Sequence, residues 1–105
     1  MADAQNLTSL ADRLEADAAA ADARLAELER EYAEVLANPD VIQEDRDTTA
    51  KLVASARAAA DAARDALSRY QAGTYGRCQE CGEEISAERL EAVPDATRCV
   101  ACSRR

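Results

Sequence analysis

The residues best suited to chemistry in this sequence are its four cysteines, which form two pairs. Two residues separate Cys78 from Cys81 and Cys99 from Cys102, and seventeen residues lie between the pairs. This spacing is typical of a four-thiolate zinc site, because each Cys-x-x-Cys turn can aim two sulfurs at one ion about 2.3 Å away. Gly82 follows the first pair, where a tight turn often needs a positive φ. The pattern predicts one Zn²⁺ bound by the four cysteines.

The zinc is predicted to be structural rather than catalytic. Four protein ligands fill a tetrahedral shell and leave no position for water or substrate. The chain has no histidine, so no imidazole could act as a base, and we expect the protein not to be an enzyme. A thiol redox protein or metal donor is an alternative for Cys-x-x-Cys motifs, but a redox dithiol usually occurs as a single pair near a βαβ unit, which this sequence lacks.

Composition narrows the class of partner. The chain of 105 residues has no Phe, no Trp and a net charge of −8. A duplex nucleic-acid binder needs a basic face to displace counterions, so we expect no direct nucleic-acid binding and no binding to an anionic membrane. We also expect no signal peptide and no membrane span, because no long apolar run is present. Cysteines kept for a metal then indicate a reducing, cytoplasmic location.

The chain before the cysteines begins with one long predicted helix, from residue 1 to about residue 37. Apolar residues recur every seven positions, with a second series between them. The first series is Leu7, Leu14, Ala21, Leu28 and Val35, and the second is Ala4, Ala11, Ala18, Leu25 and Tyr32. This 4-3 alternation predicts a coiled-coil seam.

Residues 38–40, Asn-Pro-Asp, are predicted to break the helix, because proline disfavours helical geometry before it and has no amide to donate. Asp40 could cap a second helix, with Gln43 at the capping-box position. Asp45 or Asp47 could instead begin it after a longer acidic loop, and the sequence leaves both starts open.

The second helix is predicted to run to about Ala72. Its seam positions are Thr49, Val53, Ala56, Ala60, Ala63, Leu67 and Tyr70. Two seams of similar length joined by a short break predict an antiparallel helical hairpin with arms of about 45–50 Å. The ion pairs Arg57–Asp61 and Asp65–Arg69 are expected to lie on a solvated face.

The fold class is therefore mainly α, with a long antiparallel coiled-coil hairpin over residues 1–72 and a small four-cysteine zinc finger over residues 73–105. Gly73 and Gly76 are expected to end the second helix and turn the chain into the finger. Between the cysteine pairs, Ser86 is expected to cap a short helix whose core residues are Ile85 and Leu90.

The tip of the hairpin, at about residues 38–48, is acidic. It contains Asp40, Glu44, Asp45 and Asp47 against Arg46 alone. One interpretation is solubility and helix capping, since acids favour helix N-termini. The other is that a slender hairpin delivers carboxylates to a place that a globular protein could not reach.

The finger resembles that of the DksA/TraR family. The resemblance is dense over residues 73–85, which read GTYGRCQECGEEI, over residues 89–94, RLEAVP, and over residues 96–102, ATRCVAC. Over residues 1–72 it is limited to a coiled-coil hairpin preceding the finger. The resemblance implies a transcription regulator that binds RNA polymerase and inserts its hairpin into the secondary channel to modulate initiation.

Three departures from the longer members of that family affect what the resemblance implies. Those members carry Asp-x-x-Asp-x-Ala at the tip, and the nearest match here runs from Asp45 to Ala50 with Thr48 in place of the second acid. They also extend into a C-terminal helix, which is missing here, and this arm is shorter. Members that respond to guanosine tetraphosphate use basic residues where this chain has Val93 and Ser103, so no such site with polymerase is expected. Arg104 and Arg105 are the alternative basic residues beside the second position.

A second hypothesis of another class remains open. The alanine-rich seams and the divergent tip would also suit a zinc-capped coiled-coil adapter or oligomerisation protein that does not act on polymerase. The two hypotheses differ in quaternary structure, because the polymerase regulator is expected to be a monomer.

Overall fold

The protein is a helical hairpin set on a small finger. The structure, a computed structural model, describes the backbone of residues 2–104 and the side chains of residues 10–104. Its helices are α1 (Ala2–Ala37), α2 (Gln43–Ala72), α3 (Ala87–Ala92) and α4 (Val100–Ser103). The described part measures 58 × 33 × 20 Å. This confirms the predicted mainly α fold of a long hairpin and a four-cysteine finger.

Helices α1 and α2 pack against each other in antiparallel orientation. Ion pairs join Arg57 to Glu29 at 3.5 Å and Arg64 to Asp22 at 3.4 Å. A step of seven residues forward along α1, from Asp22 to Glu29, corresponds to a step of seven residues backward along α2, from Arg64 to Arg57. The two helices therefore run in opposite directions. All four side chains are about half exposed, so these pairs contribute little to stability but report the register.

The seam of α1 is the predicted one wherever side chains are described. All predicted positions from Ala11 to Val35 are buried or partly buried, with Leu14 and Leu28 at 2% and 3% exposure. The predicted positions Ala4 and Leu7 lie outside the described side chains.

The seam of α2 is also as predicted, with two further buried residues. Every predicted position from Thr49 to Tyr70 is buried or partly buried, and Ala60 is fully enclosed. Ala66 and Arg69 are buried as well, on the side of α2 that meets the finger. The expectation that the Asp65–Arg69 pair is solvated was wrong for Arg69, because the finger covers it. The prediction of an Arg57–Asp61 pair was wrong, because in the described structure Arg57 pairs with Glu29 across the hairpin and Asp61 pairs with Arg64.

The turn at the tip, residues 38–42, is intermediate in length between the two predicted alternatives. α1 ends at Ala37 and α2 begins at Gln43, with Ile42 at the N-cap and no side-chain cap. Asp40 is not the cap, because its own backbone N–H donates to Asn38 Oδ1 at 3.0 Å and draws it into the turn. The later starts at Asp45 and Asp47 were also wrong, since both residues lie inside α2.

The end of α2 and the entry to the finger follow the glycine prediction. Gly73 adopts a left-handed conformation, with φ of 81°, and its N–H donates to carbonyls of the last turn of α2. Ser86 caps α3 by accepting from the N–H of Arg89 at 3.2 Å. Ile85 is buried in the finger core and Leu90 packs against that core, as predicted. Among the described helices, none is both long and apolar enough to cross a membrane.

Candidate metal centre and hairpin tip

The four cysteine sulfurs converge on one point. Their Sγ atoms all lie within 4.8 Å of one another. Cys81 Sγ and Cys99 Sγ are 3.8 Å apart, and a tetrahedral ion with metal–sulfur bonds of about 2.3 Å would separate its sulfurs by about 3.8 Å. The geometry therefore fits a single tetrahedral zinc ion, and the finger is a structural zinc site of the four-cysteine type.

The first cysteine pair lies in a tight turn closed by backbone hydrogen bonds. Residues Arg77 and Glu84 form an antiparallel bridge, and the N–H of Cys78 donates to Glu83 O at 2.8 Å. The N–H of Gly82 donates to Cys78 O at 2.9 Å. Gly82 has φ of 75°, which confirms the predicted positive value and explains why the turn carries a residue without Cβ.

The second pair lies at the start of a single helical turn. Cys99 precedes α4, and its carbonyl accepts from the N–H of Ser103 at 2.9 Å. The two turns are tied together by the N–H of Gln79, which donates to Thr97 O at 2.8 Å. Cys78 and Cys102 are buried in the finger core with Ile85 and Ala96, whereas Cys81 is exposed.

The thiols differ in acidity before a metal binds. Backbone N–H groups of Cys81 and Cys99 lower the pKa of Cys78 from 9.0 to about 6. The neighbouring Cys99 and Cys78 thiols, together with burial, raise the pKa of Cys102. One thiolate is thus favoured and further charges are opposed, which is the arrangement expected of sulfurs crowded around a cation position. A zinc ion supplies the positive charge that lets all four remain thiolates.

The acidic residues of the tip lie at the far end of the hairpin from the cysteines. Asp40 is in the turn, and Glu44, Asp45 and Asp47 are in the first two turns of α2; all four are exposed. Asp47 Oδ1 accepts from Gln43 Nε2 at 2.8 Å.

Within the described part of the chain, the side-chain carboxylates of Asp40, Glu44 and Asp45 have no hydrogen-bond or ion-pair partner. Thr48 and Thr49 donate their hydroxyls to the carbonyls of Glu44 and Asp45.

The neighbouring positions of the predicted tip motif differ in exposure. Thr48 is exposed, but Ala50 is partly buried at the seam. The sequence match from Asp45 to Ala50 therefore spans a solvent face of α2, with Asp45, Asp47 and Thr48 exposed, and a packed face that includes Ala50.

Sequence reasoning missed the residues that join the finger to the hairpin. Arg69 is buried and donates to the carbonyls of Asp95 and Ala96, and Tyr75 donates its hydroxyl to Pro94 O. The acceptors are backbone atoms of a loop, which have no signature in the residue pattern. The one available signal for this contact was the position of Arg69, a polar residue beside the seam near the end of α2.

Comparison with known proteins agrees with this architecture. Residues 73–105 match the prokaryotic dksA/traR C4-type zinc finger. The chain is 50% identical over 40 residues to the RNA polymerase-binding transcription factor DksA of Caulobacter vibrioides, and 47% identical over 38 residues to an uncharacterized protein of Aquifex aeolicus. These alignments cover 38% and 36% of this chain but only 28% and 26% of those relatives.

The likeness to a solved structure is longer. The fold matches that of the transcription factor DksA2 from Pseudomonas aeruginosa with a TM-score of 0.81 and 28% identity, over 94% of this chain and 81% of the other. The match thus includes the hairpin as well as the finger. Residues 73–105 are thus a finger of the dksA/traR C4 type, and the hairpin that precedes them is similar in architecture to that of DksA2.

Proposed function

We propose that this protein is a non-enzymatic transcription regulator that binds RNA polymerase and inserts its acidic tip into the secondary channel to modulate initiation. The observation that carries the proposal is the match in fold to DksA2 over 94% of the chain. A relative of the finger is itself described as RNA polymerase-binding. The proposed tip residues are those predicted from the sequence: Asp40, Glu44, Asp45, Asp47, Thr48 and Ala50.

The shape and the charge of the protein both support this role. A 58 Å molecule with a two-helix cross-section can enter a narrow channel that would exclude a globular domain. In the described structure, the exposed carboxylates of Asp40, Glu44 and Asp45 form no ion pair that a partner would have to break. They are therefore available to a positively charged or metal-containing partner surface.

The pairing of α1 with α2 within one chain weighs against the adapter hypothesis. The seam from Ala11 to Tyr70 is already covered, so a second chain is not needed to bury it. We accordingly propose a monomer, which sedimentation at several protein concentrations would test. A concentration-dependent dimer would support the adapter hypothesis instead.

We propose that the zinc site is structural: it supports the base of the hairpin and takes no part in a reaction. Cys78, Cys81, Cys99 and Cys102 would hold the ion, and all four coordination positions would be filled by protein. We propose the division of the chain into a hairpin of residues 1–72 and a finger of residues 73–105 on the same grounds. In this arrangement neither nucleic acid nor membrane is a direct partner, and the site of action is cytoplasmic.

We also propose that guanosine tetraphosphate does not strengthen polymerase binding through this finger. The position of Val93 offers an apolar side chain, and the hydroxyl of Ser103 donates to Val100 O. Neither can neutralise a phosphate. Polymerase affinity measured with and without the nucleotide should be unchanged, and a large gain would refute this part of the proposal.

Co-purification tests the partner, and competition tests the site. Tagged protein should retain purified RNA polymerase, and a second factor known to occupy the secondary channel should displace it. A mixture with a factor that binds elsewhere on polymerase serves as the control and should leave binding unchanged. Failure to retain polymerase would exclude the proposed partner, whereas binding without competition would exclude the proposed channel.

A further inference from the structure

The finger meets the hairpin through a short segment of backbone, residues 94–98, which we call the strap. Three successive carbonyls of the strap accept hydrogen bonds from side chains at or just after the end of α2. Pro94 O accepts from the Tyr75 hydroxyl at 2.8 Å. Asp95 O and Ala96 O accept from the two terminal nitrogens of Arg69 at 3.4 Å and 3.3 Å.

The next two carbonyls of the strap bond within the finger. Thr97 O accepts from the N–H of Gln79, in the turn between the first two cysteines, at 2.8 Å. Arg98 O accepts from Arg89 Nε at 2.9 Å. Every carbonyl of the strap is thus used, and the chain then enters Cys99. Because Ala96 is also buried in the cluster with Cys78 and Cys102, the strap connects the cysteine core to the base of α2.

Arg69 is the main donor from α2 to the strap. Its side chain is 9% exposed, and its Nε bonds Asp65 at 3.0 Å. A buried guanidinium is costly unless its donors are satisfied, and here three acceptors surround it. Its own backbone carbonyl accepts from the N–H groups of Thr74 and Tyr75 at 2.9 Å and 3.1 Å. Arg69 therefore links the end of α2, the entry to the finger and the strap.

We propose that Arg69 is a positioning residue that fixes the direction of the hairpin relative to the zinc finger by clamping the strap. The finger core, formed by the cysteines, Ile85 and Ala96, contains none of the atoms of Arg69, so it should fold and bind zinc without the clamp. What the clamp supplies is the buried contact that fixes the angle between two bodies otherwise joined by the chain at Gly73 and by an exposed hydrogen bond from Arg13 Nη2 to Glu91 O at 3.3 Å. This proposal does not depend on the partner of the tip.

The chemistry of the clamp requires arginine. The planar guanidinium can present separate N–H groups to Asp65, Asp95 and Ala96 at once, whereas the single ammonium of lysine is a point donor on a flexible stem. A lysine at this position should keep the ion pair with Asp65 but release at least one strap carbonyl.

Residual dipolar couplings of backbone N–H groups test the proposal in the zinc-loaded protein. In the unaltered protein, couplings from α2 and from residues 77–103 should fit one alignment tensor. In Arg69→Met they should require two tensors, with a smaller magnitude for the finger. The zinc content, measured independently, should remain one per chain, and helicity by circular dichroism should be unchanged. Arg69→Lys should show a smaller loss of the common tensor.

The matched control is Arg64→Met, which removes an exposed arginine five residues away on the same helix. That substitution breaks ion pairs with Asp22 and Asp61 but touches no strap carbonyl, so the common tensor should be retained. A common tensor in zinc-loaded Arg69→Met would overturn the proposal. Loss of zinc in both Arg69 variants would overturn it as well, because Arg69 would then be needed to fold the finger rather than to direct the hairpin.

Discussion

At the scale of single residues, the two functional groups of side chains, the four cysteines and the tip carboxylates, differ in how the backbone positions them. The cysteine sulfurs are brought together by backbone turns of the finger, and the exposed carboxylates of the tip are presented by the turn after α1 and by the first two turns of α2. A metal therefore suits the first group, since four thiolates need a cation between them. A partner protein suits the second, because within the described structure nothing else neutralises Asp40, Glu44 and Asp45.

Replacing one cysteine sulfur should unfold the finger and leave the hairpin folded. We expect Cys81→Ser to lose zinc and unfold the finger, because a hydroxyl is a poor substitute for a thiolate ligand, while the hairpin stays helical. Zinc content and far-ultraviolet circular dichroism would measure the two effects. Ser103→Ala, which removes a nearby hydroxyl without touching a sulfur, should keep one zinc per chain; retention of zinc by Cys81→Ser would contradict the site.

The Tyr75 hydroxyl should make stability sensitive to alkaline pH. Burial raises the pKa of Tyr75 above its ordinary 10.0, although Arg13 and Arg69 oppose the shift. The folded protein thus holds this proton more tightly than the unfolded chain. Its contribution to the free energy of unfolding is complete below about pH 10 and is lost as the pH rises through the raised pKa.

Comparison with Tyr75→Phe isolates this contribution. Urea unfolding of the zinc-loaded protein at about pH 8 and about pH 10.5 should show a larger loss of stability for the unaltered protein than for Tyr75→Phe. Equal losses would show that the hydroxyl bonded to Pro94 O does not titrate with folding.

At the scale of elements, the hairpin depends on small residues at the seam. Ala60 is fully enclosed between α1 and α2, and Ala18 is nearly so. Alanine at such positions lets the helix axes approach closely, near the lower end of the 8–10 Å range. The hairpin is consequently slender, which is the property that the proposed function uses.

Enlarging a seam alanine should therefore destabilise the hairpin. We expect Ala60→Leu to lower the free energy of unfolding by about 1–3 kcal/mol, because the added methylenes have no space. Urea denaturation of the zinc-loaded protein would measure the change. Ala59→Leu adds the same volume on the exposed face and should be nearly neutral, so equal effects of the two substitutions would contradict close packing at Ala60.

The elements were the part of the fold most accessible from the sequence. The heptad repeat gave the seam from Ala11 to Tyr70 because burial follows directly from the period of the apolar residues. The start of α2 was missed because Asn38, rather than Asp40, supplies the side-chain acceptor in the turn. The burial of Arg69 was missed because an arginine beside a seam looks solvated until the finger that covers it is placed.

At the scale of the whole molecule, the cysteine cluster and the acidic tip lie at opposite ends of a body 58 Å long. The cysteine spacing predicted the metal end, and the acid cluster predicted the composition of the other end. The relation between them was not predictable, since it depends on carbonyls of the strap and on a glycine joint at Gly73. The direction of the hairpin is a tertiary property that neither motif contains.

The central claim to be tested is that the tip carboxylates act on transcription. The most direct measurement is initiation by purified RNA polymerase in the presence of the unaltered protein, of Asp45→Ala/Asp47→Ala, and of Asp12→Ala/Glu15→Ala. The last variant removes the same charge near the base of α1. We predict that the unaltered protein and the base variant change initiation equally, while the tip variant binds polymerase but has no effect. No change in initiation by the unaltered protein, or full activity of the tip variant, would contradict the account.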